Sequence, residues 1–271
     1  MTHQWTPEDQ AQIAARGMTV RDVEEHLDRF ARGFPAIVLD RPCTVEDGIR
    51  TITHAETLGL EARFREARLS GRVSKFVPAS GAASRMFHSL LVALHESWSL
   101  EDTTLAAHRD DGRDEDREFV RRFFAEAHAL PFAPDLGLNA GDTPAADERL
   151  RLLRALLLEE GLGFADLPKG LIPFHRYGDE VRTAFEEHLV ESLAYVRAGD
   201  GSIRLHFTVP DPQRERIASH LQACADRLGA RFEISLSVQD PATDTIAVDA
   251  TNEPARDANG RLLFRPGGHG A

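Results

Sequence analysis

The chain has 271 residues, 42% of them hydrophobic and 28% charged, so it can bury a sizeable core. No run of about 18 apolar residues occurs, and the polar opening MTHQWTPEDQ lacks the apolar stretch of a signal peptide, so neither a helical membrane span nor a leader is read. A net charge of −12 argues against broad nucleic-acid binding, while two distant cysteines, Cys43 and Cys224, point to a reducing, cytoplasmic setting.

Residues 1–70 read as a helical lead-in. Thr6-Pro7 is an N-cap followed by proline in the first turn, and Gly17 is a stop. A second helix is expected from about Thr19 to Arg32, with Val20, Val23, Leu27 and Phe30 on one face and Gly33 closing it. Thr53-His-Ala-Glu56 is a capping box for a third helix through Leu58, Ala62 and Leu69. Nothing in this part carries chemistry.

The next stretch, Lys75-Phe-Val-Pro-Ala-Ser-Gly-Ala-Ala-Ser-Arg-Met86, organises the rest. An apolar strand over Val73 to Val77 stops at Pro78, small residues follow, and a helix is expected from about Ser84 to Trp98. Strand, tight turn and helix start aim backbone N–H groups and a helix dipole at an anion. Gly81 permits close backbone approach, and the amides from Gly81 through Ala82 and Ala83 to Ser84 form the cradle. Ser80 and Ser84 can cap the helix or donate to phosphate, and Arg85 adds a charged fork. A close-packed strand-to-helix turn without a ligand is the plain alternative.

Residues 99–166 read as a helical insertion. It contains the charged run HRDDGRDEDRE, the turn-rich connector 131–144, and a helix begun at Thr143-Pro144 with Leu150, Leu153, Leu156 and Leu157 on its apolar face. Leu167-Pro-Lys-Gly-Leu-Ile-Pro-Phe-His175 then reads as extended chain, because two prolines bracket a short apolar run. Of 32 basic residues only two are lysines, Lys75 and Lys169, which marks both as positions suited to a compact ammonium. Lys169 between Pro168 and Gly170 is a lone cation in a restrained loop. Asp179 to Arg197 reads as an amphipathic helix whose Glu186, Glu187 and His188 lack metal-site spacing and face solvent. A strand (203–209), a helix (212–228), a strand (232–238) and a short strand (246–248) follow, a pattern that implies a parallel unit. Asn259-Gly260 signals a hairpin, and the Gly-rich ending is read as a cut inside a domain.

Three segments resemble, in order, the sugar-nucleotide pyrophosphorylases. PASGAASRM is similar to that superfamily's nucleotide loop, with Gly81, Ser84 and Arg85 on its glycine, threonine and arginine and Ala83 where a glycine usually stands. Pro168-Lys-Gly-Leu-Ile-Pro173-Phe resembles its phosphate-contacting lysine segment, although about 80 residues separate the two here, far more than is usual there. Gln239, Pro241 and Arg265-Pro-Gly-Gly-His-Gly270 look like the nucleobase elements of the UDP-sugar branch, with His269 in place of asparagine. Nearly the whole chain also resembles a bacterial family catalogued as a domain of unknown function, number 4301.

The resemblance implies an α/β, nucleotide-diphospho-sugar transferase-like (Rossmann-like), mostly parallel sheet with helices on both faces, spanning 71–271. It implies a nucleoside triphosphate and a phosphorylated sugar as ligands, and Mg2+ or another divalent cation as cofactor. Arg85 and Lys169 would be catalytic, Ser80 to Ser84 would hold phosphates, and Gln239, Gly267, Gly268 and His269 would hold the base or ribose. Metal ligands are unassigned. The alternatives are a nucleotide- or phosphosugar-binding protein without chemistry and a glycosyltransferase that consumes the sugar nucleotide.

Overall fold

The computed structural model describes residues 3–81, 83 and 85–267. In chain order the first part holds helices α1 (Pro7–Ala14) and α2 (Val20–Arg32), two-residue strands β1 (Thr44–Val45) and β2 (Gly48–Ile49), and helix α3 (His54–Leu69). Next come strand β3 (Lys75–Pro78) and helices α4 (His88–His95), α5 (Asp102–Leu105), α6 (Asp114–Glu126) and α7 (Ala146–Leu157). Strands β4 (Pro173–Tyr177) and β5 (Glu180–Thr183), helix α8 (Ala184–Tyr195), strand β6 (Ile203–Val209), helix α9 (Arg214–Leu228) and strand β7 (Phe232–Val238) follow. Strands β8 (Thr245–Ile246) and β9 (Phe264–Arg265) come last. This is a mixed α/β protein with small, mostly parallel sheets, and no helix among the described residues is long and apolar enough to cross a membrane. The chain divides into two compact units, 1–70 with 238–271, and 71–237.

In the first unit, α1, α2 and α3 each begin at a threonine N-cap, Thr6, Thr19 and Thr53, whose hydroxyl accepts an N–H three residues on. In each, the Asp or Glu at that position accepts the cap's own N–H, closing the box. The core of this unit joins Ile13, Met18, Val23 and Leu27 to Ile246 and Leu262. The Gln12 side chain donates to the Leu262 carbonyl (2.7 Å) and accepts from its N–H (3.0 Å), fastening the C-terminal segment to α1. Residues 238–271 thus belong with the helical lead-in, a long-range association that local periodicity does not carry.

Arg256 makes the second tie, a bidentate pair with buried Asp9 at 2.7 and 3.0 Å. Its guanidinium, outweighing burial, holds the Asp9 carboxyl below the ordinary carboxylate value. A carboxyl whose folded pKa is depressed stabilises the fold fully above its unfolded pKa and loses that contribution as pH falls through the folded one. Melting temperature should therefore drop on acidification below about pH 4, the unfolded aspartate range. Asp9→Asn should flatten that part of the profile. An Asn variant with the same acid slope as the parent would remove Asp9 from acid unfolding.

In the second unit β6 is the central strand of the order β3-β6-β7. β3 runs parallel to β6, with Lys75 opposite Leu205 and Pro78 opposite Thr208. The contacts Arg204–Glu233, His206–Ser235 and Thr208–Ser237 step in the same sense along β6 and β7. Ile203, Leu205, Phe207 and Val209 point to one face, where they bury against Phe185 and Leu189 of α8 and Ile217 and Leu221 of α9. The opposite face carries Arg204, His206 and Thr208, and Phe76 there is 63% exposed. Helices therefore cover one face of this sheet in the unit, where both were expected. The reason lies in the alternation along β6, since a parallel strand buried on both sides needs apolar residues at nearly every position.

A second core in this unit packs α4, α6 and α7 around Leu90, Phe124, Leu153 and Leu156, and takes in Ala83, Leu167 and Ile172. The described chain before it departs from expectation, because α4 begins at His88, after a turn over 85–87, with Phe87 as an N-cap that makes no side-chain bond. The helix expected over 179–197 also divides. β4 and β5 form an antiparallel hairpin turning at Gly178, whose φ is +63°, and α8 starts only at Ala184. Val181 shares the i, i+4 series of Phe185, Leu189 and Leu193, so the helical period runs straight through a four-residue strand.

Candidate functional site

Because β3 and β6 are parallel, their C-terminal ends reach the same sheet edge, the edge at which open α/β sheets bind ligands. The loop leaving β3 is pinned there. Ala79 donates its N–H to the Thr208 carbonyl at 2.8 Å. Two further main-chain bonds tie the loop to the lysine segment, Lys169 N–H to the Gly81 carbonyl (3.1 Å) and Ala83 N–H to the Leu167 carbonyl (3.0 Å). The two stretches singled out in the sequence are therefore held side by side.

The lysine segment is shaped by its neighbours. Pro168 is buried, Lys169–Leu171 forms a single 3-10 turn, and Leu167 and Ile172 anchor the two ends in the helical core. Gly170 lies against the ring of Phe185 in the first turn of α8, so that a Cβ there would meet Phe185 Cε2 at 2.5 Å. Phe185 is itself 1% exposed and has nowhere to retreat. Gly170→Ala should thus cost about 1–3 kcal/mol through overpacking. It should also shift the backbone that carries Lys169. Melting curves and the hydrogen exchange of the Lys169 amide check this, and wild-type values in both would refute the packing argument.

Between the loop, the lysine segment and α8 lies a cleft of about 200 Å³. Pro78, Gly81, Lys169, Gly170, Phe185 and His188 are among its walls. It is large enough for a phosphate-sized group. Lys169 is exposed, and among the described residues no carboxylate pairs with it. The other lysine has a different job. The Lys75 ammonium is paired with Glu191, approaches the His188 carbonyl at 3.4 Å and lies 5.5 Å from the Tyr195 ring centre, tying β3 to α8. That contact holds the Glu191 carboxyl below the ordinary value.

The remaining expected residues separate into groups. Ser80 is half-buried next to Gly81, and Arg85 is exposed in the turn before α4. Ala83 is fully buried and its amide is spent on Leu167, so it is committed to packing in this conformation and cannot serve as an anion donor. Ala82 and Ser84 lie outside the described residues. Gln239 and Gly267 belong to the other unit, where the Gln239 side chain donates to the Gly267 carbonyl and the Gly267 N–H donates to Asp244 Oδ1 at 3.2 Å. A Cβ on Gly267 would fall on the Thr243 carbonyl, which explains the glycine by packing. Gly268 and His269 lie outside the described residues.

His188, expected on a solvated helix face, lines the cleft instead. The available signal was its place three residues after Phe185, on the edge of the buried stripe. Glu186 likewise proves buried, paired with Arg227 and close to Cys224 and His220. Burial pushes the Cys224 thiol up and the His220 ring down, so both are neutral packing groups rather than a nucleophile and its base.

No cluster of three or more metal-ligating side chains forms among the described residues, and no carboxylate is among those lining the cleft. The described residues that line the cleft therefore do not fit a protein-held magnesium.

The model of the family described as "Domain of unknown function (DUF4301)" matches residues 6–271, so the chain belongs to that family. No curated protein and no solved structure matches it.

Proposed function

We propose that this member of the DUF4301 family binds the phosphates of a nucleoside triphosphate at the Lys169 cleft and transfers the nucleotidyl group to a sugar 1-phosphate. The sugar-phosphate oxygen would form a bond to the α-phosphorus, the bond to the bridging oxygen toward the β-phosphorus would break, and pyrophosphate would leave. In this reading β3, β6 and β7 are part of a nucleotide-diphospho-sugar transferase-like sheet. The observation that carries the reading is the pair of main-chain bonds joining Gly81 and Ala83 to the lysine segment at the C-terminal edge of two parallel strands. It favours a phosphate ligand over a packed turn because it leaves an exposed ammonium beside a loop with little side-chain bulk. Charge in phosphoryl-type transfer spreads over the equatorial oxygens, so positioning and positive charge do most of the work. Lys169 would supply that charge, the Gly81 region would allow close approach, and Arg85 would reach the outer phosphates.

A specific observation supports a second reading, a nucleotide- or phosphosugar-binding module without chemistry. The Ala83 amide, one expected cradle donor, is already bonded. Thermal-shift measurements with UTP, ATP, GTP and CTP, each with and without magnesium, come first. A ligand at 100 times its dissociation constant adds about 2.7 kcal/mol to the folded state. A shift with one triphosphate, followed by pyrophosphate release on adding sugar phosphates, would support the transferase. A shift without release would leave the binding module, and no shift with any triphosphate would sink both.

A further inference from the structure

We propose that His188 is the second polar group of the Lys169 cleft, an imidazole that donates its Nε2–H to the anion held there. The inference rests on the reading of that cleft as a phosphate site. The His188 side chain is 35% exposed, yet its Nδ1 is buried and has no hydrogen-bond partner. The exposed part of the ring is therefore the other edge, and His188 is among the residues lining the cleft with Gly81 and Lys169. A buried N–H without an acceptor is rarer and costlier than a buried lone pair without a donor. The proton thus belongs on Nε2, at the edge that ligand can reach, and a neutral ring with that tautomer is a donor there.

The surroundings, on balance, disfavour the charged ring. On α8 it has Glu187 and Glu191, from β3 it faces Lys75, from the 3-10 turn it faces Lys169, and from β6 only the Phe207 ring, 6.2 Å away. Glu191 Oε2 is 3.8 Å from Nδ1, beyond hydrogen-bond reach, and its carboxylate is taken up by Lys75. Glu187 is engaged by His175 at 3.1 Å. Burial first, and the Lys75 ammonium second, hold the ring below the ordinary imidazole value.

Glutamine and asparagine distinguish the two ring nitrogens, because Gln places its amide N–H near the Nε2 position and Asn near Nδ1. Inorganic pyrophosphate titrated by calorimetry into the full chain should bind His188→Gln within a few-fold of wild type. Binding to His188→Asn should be about ten- to a hundredfold weaker, the value of a hydrogen bond to a charged group. Lys169→Ala should weaken it as well. Weakening by Lys169→Ala with normal binding by His188→Asn would overturn the role of His188 and leave the phosphate reading intact. No pyrophosphate binding by wild type would remove the cleft reading and this proposal together. Ring ¹⁵N spectra give an answer independent of any ligand. The Nε2–H tautomer is expected in the free protein, and the Nδ1–H tautomer would overturn the assignment.

Discussion

On the proposed reading, Lys169→Ala is expected to lower nucleotidyl transfer about 10²- to 10³-fold while leaving the melting temperature where it was. The size follows from the usual effect of removing one preorganised group that meets developing charge. The selectivity follows from position. Lys169 is exposed, and among the described residues it has no acidic partner whose charge would be left behind. Its backbone, which does hold the loop through the Gly81 carbonyl, is untouched by the substitution. Lys169→Arg should recover little, because a rigid planar fork cannot occupy the place of a compact, rotatable ammonium between Pro168 and Gly170. Lys75→Ala should behave in the opposite way. Its side chain, 9% exposed and paired through the ammonium with Glu191, joins β3 to α8, so its loss should lower stability with a smaller effect on turnover of the folded fraction. Normal pyrophosphate release by Lys169→Ala, measured beside Lys75→Ala, would remove Lys169 from the mechanism.

The contrast between the two lysines also shows how far the sequence could be read. Rarity alone marked Lys75 and Lys169 equally, and only tertiary structure separates a tie between elements from a cleft residue. Local signals did well where the physics is local. The Thr6, Thr19 and Thr53 caps, β6, β7 and the closing glycine of α9, Gly229 at φ +62°, all follow from neighbours within a few residues. What escaped is non-local. The Gly178 hairpin was hidden because Val181 continues the period of α8. The one-sided covering of the sheet is stated by the alternation of β6, whereas helices on both faces were what the superfamily resemblance implied. His188 was assigned to solvent because a helix edge beside a buried stripe looks the same whether water or a cleft lies next to it. The approach of Gly81 to Lys169 is likewise non-local, since no local rule pairs segments so far apart in sequence.

The seat of Lys169 depends on a residue that carries no chemistry. Arg149 on α7 is buried, and its guanidinium donates to the carbonyls of Pro144 (3.1 Å) and Leu100 (2.7 Å) and to both oxygens of Asp102 (2.7 and 3.1 Å). Its guanidinium carbon also lies 5.1 Å from the Phe124 ring centre. Asp102 is mostly exposed and can turn to water, so the loss of that pair costs little. The carbonyls are different, because a buried acceptor left without a donor costs about 1–3 kcal/mol. Together with the lost packing of the stem, Arg149→Ala should destabilise the second unit by about 3–5 kcal/mol. For a chain of this size that is a fall of roughly 10 °C in melting temperature. Phe124, Leu153 and Leu156 share one apolar cluster with Leu167 and Ile172, the residues that anchor the two ends of the lysine segment. Protection of the Lys169 amide from hydrogen exchange should therefore fall in the variant together with that of α7. Below the melting range, pyrophosphate affinity should stay near the wild-type value, because no atom of Arg149 lines the cleft. A variant that melts like wild type would show the two carbonyls to be satisfied without Arg149. One that stays folded but loses pyrophosphate would make Arg149 a positioning residue of the site rather than a support of the core.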